Sequence, residues 1–181
     1  MDAVETKKAL ELLASRLATL SGMLDKAERE SASLDDLAAA RLAADMHPLD
    51  WQIGAVAYHA RQFVEWSRGV ELPNAVPAVT GWTEARAALD AVIGQVAAAS
   101  AEWTAAPGER RITIPDIGIY LDFPARRYLD DWVLPNFYFH LVTAYGLLRM
   151  KGVVLGKADF LAHIGGDVRP IPAEADAAAP A

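Results

Sequence analysis

The chain has 181 residues, 53% of them hydrophobic, with a formal net charge of −7 and no cysteine. That length is about one domain and the apolar content supports a single core, while the lack of cysteine excludes disulfides, thiolate metal sites and a cysteine nucleophile. Acidic and basic residues are interspersed and leave no basic face, so neither nucleic acid nor an anionic membrane surface is expected as a partner.

Near the amino terminus, Leu10, Leu13, Leu17, Leu20 and Leu24 recur at spacings of three and four, which predicts a helix over about 4–29. Its opening, MDAVETKKALELLASRL, is charged throughout. It lacks the apolar stretch of a secretory signal, and a cytoplasmic location is the expectation. Ser31 to Leu34 supplies a break and a cap, and Asp35 to Arg41 is expected to form a short helical turn.

Pro48 suits the first position of a second long helix, over about 48–68, whose core stripe is Leu49, Ile53, Val56, Ala60 and Phe63. The segment GVELPNAVPAVTG is a loop by its prolines and glycines. Thr80 is then placed to cap a third helix, from about Trp82 to Trp103, along Ala85, Leu89, Val92, Val96 and Ala99. In RRITIPDIGIYLDF the period falls to two on either side of Pro115-Asp116, which predicts a short hairpin.

Helical spacing resumes at about 125 and runs to Gly152, a residue suited to a left-handed cap, giving a fourth helix over 125–151. Within it the longest uncharged run, Trp132 to Leu148, falls short of a membrane span and contains Pro135, Asn136 and His140. Pro135 cannot donate to the carbonyl of Asp131, so it either kinks the helix or begins its second half. A short helical segment after Leu155 precedes a tail rich in Ala, Pro and acidic residues. The expected organisation is an all-α four-helix bundle domain over 1–164, with a β-hairpin between its third and fourth helices, and a mobile tail over 165–181.

Asn136 and His140 are i and i+4 and share a face of the fourth helix. His59 borders the core stripe of the second, one heptad after Gln52. Two imidazoles with an oxygen ligand suit a borderline divalent metal such as zinc or nickel. The alternative is a metal-free polar cluster satisfied by water or by the hydroxyls of Thr143 and Tyr58. His47, twelve residues before His59, is expected at the entrance of the second helix, and His163 at the surface. The pairs Asp35-Asp36 and Asp130-Asp131 point apart on a helix and form no dyad, and GKAD lacks the lead-in of a phosphate loop.

Three blocks, ARLAADMHPLDWQ, LPNFYFHLVTAYGLLRMKGV and LGKADFL, in this order and at these separations, resemble the bacterial family catalogued as domain of unknown function 1993. The resemblance extends from the first helix to Leu161. That family is similar to the DinB-like superfamily, bundles in which a histidine on the second helix and an HxxxH pair on the fourth often bind a divalent metal. The resemblance implies a DinB-like bundle, with His140 at the second histidine of the pair, Asn136 in place of the first and His59 as the ligand from the second helix. An amide oxygen supplies less charge and softness than an imidazole, so weak or absent occupancy is expected.

The main expectation is therefore a DinB-like protein with a partly degenerate interior polar or metal site, open to a small-molecule ligand in the bundle interior. Two alternatives stand beside it: a metal-dependent enzyme such as a thiol-cofactor transferase, and a non-catalytic interaction protein that forms a homodimer. Tryptophans at helix ends motivate the last, because such residues serve as core plugs or as interface anchors.

Overall fold

A computed structural model describes residues 1–102 and 104–171. Four long helices, α1 (Ala3–Glu30), α3 (Leu49–Ser67), α4 (Gly81–Ala101) and α6 (Leu134–Met150), form the bundle. Shorter elements fill the connections: α2 (Leu34–Ala38), the strands β1 (Glu109–Ile114) and β2 (Ile119–Pro124), α5 (Ala125–Arg127) and α7 (Lys157–Phe160). Among the described residues, no helix is long and apolar enough to cross a membrane.

The core follows the apolar stripes. Every stripe residue of α1, α3 and α4 read from the sequence is buried, as are Phe137, Leu141 and Leu148 of α6. Helix α1 begins with a capping box in which Asp2 Oδ1 accepts from the Glu5 N–H at 2.8 Å and Glu5 Oε2 from the Asp2 N–H at 3.0 Å. The Ser33 hydroxyl accepts from the Asp36 N–H at 3.2 Å and starts α2. Gly152, at φ 92°, ends α6, and the Val153 N–H reaches back to the Leu148 carbonyl at 3.1 Å.

Side-chain bridges give the helix directions. Trp82, at the start of α4, donates to Glu28 near the end of α1 (2.9 Å), so these two are antiparallel. The Gly81 N–H donates to Asp50 Oδ2 at 2.8 Å, which brings the starts of α4 and α3 together and makes that pair parallel. Trp66 packs on Tyr128 while Gln52 meets His140, so α3 and α6 run in opposite directions. The result is an up, down, down, up bundle whose parallel middle pair needs the long connection over 68–80.

The hairpin lies where the sequence period predicted it. Ile112 pairs with Leu121 and Ile114 with Ile119, and a 3₁₀ turn over Pro115–Ile117 with Gly118 at φ 67° closes it. Ile112 and Phe123 are buried against the bundle, and Trp66 donates to the Glu109 carbonyl at 3.2 Å, fixing β1 to the end of α3.

Three local features add to the sequence reading, and the first corrects it. Thr80 occupies the cap position of α4 without a side-chain cap bond; Asp50 receives the Gly81 N–H and Glu84 the Thr80 N–H instead. The fourth helical stretch runs unbroken over 125–150, as expected, but its pitch changes within it. Residues Tyr128–Val133 form a π-helical turn in which the Leu134 N–H reaches the Leu129 carbonyl five residues back, and α6 begins only after it. Such a turn accommodates Pro135, which has no N–H to place in a regular ladder. A 3₁₀ turn over Ala162–Asp167 also crosses the expected domain end at 164; residues 172–181 of the tail, and Trp103, lie outside the described residues.

Candidate functional site

Parallel packing of α3 with α4 and antiparallel packing with α6 leaves α3 almost wholly buried, so its polar residues must find partners inside the bundle. Gln52 and His59 are one heptad apart and both point at α6. His140 comes toward them from α6, its side chain buried. The His59 and His140 rings are nearly parallel, 6° between planes, with centroids 5.5 Å apart.

The hydrogen bonds around His140 determine its tautomer. Gln52 Nε2 donates to the His47 carbonyl at 3.0 Å, and a carbonyl can only accept, so the Gln52 amide is oriented. Its Oε1 then faces His140 Nδ1 at 2.8 Å and must be the acceptor. His140 therefore carries its proton on Nδ1 and keeps a lone pair on Nε2. A carbonyl that accepts from one ring nitrogen in this way leaves the other nitrogen free to act as a ligand or a base.

His59 is complementary. Its Nδ1 is enclosed and makes no hydrogen bond of good geometry, its nearest polar neighbour being the Gln62 side chain, whose Oε1 is unbonded too. The two hydroxyls considered as satisfiers are committed elsewhere: Thr143 donates to the Phe139 carbonyl at 2.7 Å, and Tyr58 to the carbonyl of Pro73. Burial, followed by the neighbouring His140, lowers the His59 pKa from 6.5 to about 4. Burial, followed by His47, lowers that of His140 to about 4. Both rings are neutral at pH 7, as a metal ligand must be.

Asn136 makes a local bond rather than one to either ring. It is half-buried, and its Nδ2 donates to the Trp132 carbonyl four residues back at 2.7 Å, in the turn disturbed by Pro135. Among the described residues, no group of three His, Cys, Asp or Glu side chains is gathered for a cation. Two neutral imidazoles are donors of the type a borderline metal takes, and no third strong donor stands with them among the described residues.

His47 is exposed at the entrance of α3, as its position in the sequence suggests, but it is not remote from the site. It stacks on Trp51 with centroids 4.0 Å apart, and the edge of Trp51 meets the His140 ring at 5.3 Å. The i, i+4 spacing of His47 and Trp51 was the available signal for this aromatic wall. His163 is half-buried rather than on the surface. Asp130 and Asp131 pair with Arg126 and Arg127 on the exterior, one helical turn away.

Comparison with known proteins agrees with this architecture. Residues 7–161 match the model of a family described as Domain of unknown function (DUF1993). The fold is similar to the crystal structure of a DinB family member protein from Shewanella denitrificans, with a TM-score of 0.64, 26% identity and 92% of each chain covered. No curated protein matches the sequence.

Proposed function

The chain belongs to the domain of unknown function 1993 family, and within its DinB-like bundle we propose that His59 and His140 form an interior binding site for a borderline divalent cation, zinc or nickel. The supporting observation is the preparation of the two rings: one tautomer set by Gln52, one nitrogen enclosed without a hydrogen bond of good geometry, both rings neutral. Neutral imidazole lone pairs are the preferred donors for these metals. With only two strong donors the site holds its ion weakly, and coordination is completed by water or by a small molecule entering the bundle. Where a cation is bound, it supplies Lewis acidity to that third ligand.

Calorimetric titration of zinc and of nickel into untagged protein tests the proposal. One ion per chain is expected in the wild type, with the heat lost in both His59→Ala and His140→Ala while helical content is retained. Equal binding by the wild type and both variants would overturn it.

A further inference from the structure

Because α3 and α4 are parallel, the connection over 68–80 has to return along them. Near its middle it is fastened by the Tyr58 hydroxyl and by Gln62 Nε2, both on the Pro73 carbonyl. Near its end, Val79 lies against Gly54, where an added Cβ would be 2.7 Å from Val79 Cγ2. Beneath the later part of the connection is a cavity of about 300 Å³, whose walls include Ala57, Arg61, Ala78, Ala88, Val92 and Gln95. Its size is at the lower end for small-molecule sites, roughly 300–1,000 Å³.

Two polar groups in this cavity, on Arg61 and Gln95, lack partners. Arg61, like several other arginines, makes no ion pair among the described residues, but it is one whose Nε is also enclosed. Arg61 Nε is enclosed and unbonded, and so is Gln95 Oε1. Buried polar atoms are seldom left so. The Asp50–Gly81 bond sets the register of the two helices, and two parallel helices in that register bring Arg61 level with Val92, about one turn short of Gln95. Glu84, the acidic residue of the wall, is then about 12 Å up the axis, and its carboxylate is engaged by the Thr80 N–H at 2.9 Å. A positive charge that makes no ion pair among the described residues therefore stands at one end of an alanine-lined chamber, its nearest acidic neighbour along α3 being Glu65, one turn on.

We infer that this cavity is a second ligand site, which takes a small carboxylic acid with an apolar body. The guanidinium forks onto the carboxylate through one N–H of each terminal nitrogen, Nη1 and Nη2, the enclosed Nε taking no part. The apolar body lies along Ala57, Ala78 and Ala88. This site is independent of the His59–His140 pair: His59 faces α6, whereas Arg61, two residues on, faces α4.

Hexanoate and benzoate are the probes, with hexan-1-ol as the uncharged control, titrated calorimetrically into the full chain. Saturable binding of an acid is expected, roughly tenfold or more tighter than the alcohol, the scale of a charge-assisted fork. Arg61→Met removes that preference without moving the alcohol's affinity, and Ala88→Leu, which fills the chamber, abolishes acid binding. Circular dichroism verifies that each variant is folded. Should Arg61→Met not fold, Arg61→Lys serves instead, with intermediate acid affinity expected because it keeps the charge and loses the fork. Two results would overturn the inference: no saturable binding of either acid to folded wild type, or acid binding unchanged in folded Arg61→Met or Arg61→Lys.

Discussion

His140 donates its Nδ1 proton to Oε1 of Gln52 across the interface between α6 and α3, 88 residues apart in sequence. Because the Gln52 amide is itself oriented by the His47 carbonyl, one backbone oxygen at the start of α3 selects the tautomer of a ring on α6. The relay leaves Nε2 of His140 as the free lone pair.

This tautomer is directly observable. Long-range ¹H–¹⁵N correlation at pH 7 should show His140 as the Nδ1–H form. Gln52→Met removes the acceptor and should release the ring to the other tautomer, at a stability cost of about 1–3 kcal/mol for the donor left behind. An Nε2–H form in the wild type would contradict the relay.

Stability should depend on pH through the same rings. The folded pKa of each imidazole lies near 4, below the ordinary 6.5, so between these values the unfolded chain binds more protons than the folded one. The stabilisation is complete above about pH 7 and is lost as pH falls from 6.5 toward 4. His59 alone accounts for on the order of 3 kcal/mol of this change, and His140, nearer to solvent, contributes less. Urea denaturation between pH 4.5 and 7.5 measures the slope, which should flatten in the double variant His59→Gln/His140→Gln. An unchanged slope would mean that the rings are not held neutral by the fold.

Leu141 tests the facing of α6. It is 1% exposed, and Leu141→Ala should cost about 2–5 kcal/mol in chemical denaturation. Truncation after Gly165 removes only exposed residues among those described and should change stability little. A neutral Leu141→Ala would contradict the packing of α6 against the core.

The scaffold was legible because its signal is local. Apolar spacing of three and four along Leu10 to Leu24, and along Leu49 to Phe63, is the direct imprint of a buried helical face, and the alternation around Ile112 and Ile119 that of a strand pair. What sequence could not give were choices made by distant partners. Thr80 has the chemistry of a cap, but the carboxylate of Asp50, 31 residues away, takes the Gly81 N–H. Pro135 signals a break, and only the structure shows that a π turn absorbs it.

The same division applies to the site. The resemblance placed His59 and His140 together, and their rings meet. It also aligned Asn136 with a ligand, without revealing that its amide serves the Trp132 carbonyl. Gln52, noted only as one heptad before His59, is the residue that orients His140. Its role depends on a contact across the bundle that no spacing along one helix can display.

Asn136→His offers a gain-of-function test. The change would place two imidazoles at i and i+4 on α6, beside His59, and complete a three-nitrogen set of the kind zinc favours. Zinc affinity should rise roughly tenfold or more, because each added imidazole replaces a weaker oxygen or water. An unchanged affinity in a folded variant would mean that position 136 does not address the site.

The central claim is that His59 and His140 share one cation, and anomalous scattering from crystals of untagged protein grown with zinc tests it most directly. The account predicts a peak at the zinc edge between the two rings, with a nitrogen of each at about 2.0–2.1 Å from the metal. A zinc-edge map without a peak there, in crystals where both rings are well ordered, would contradict it.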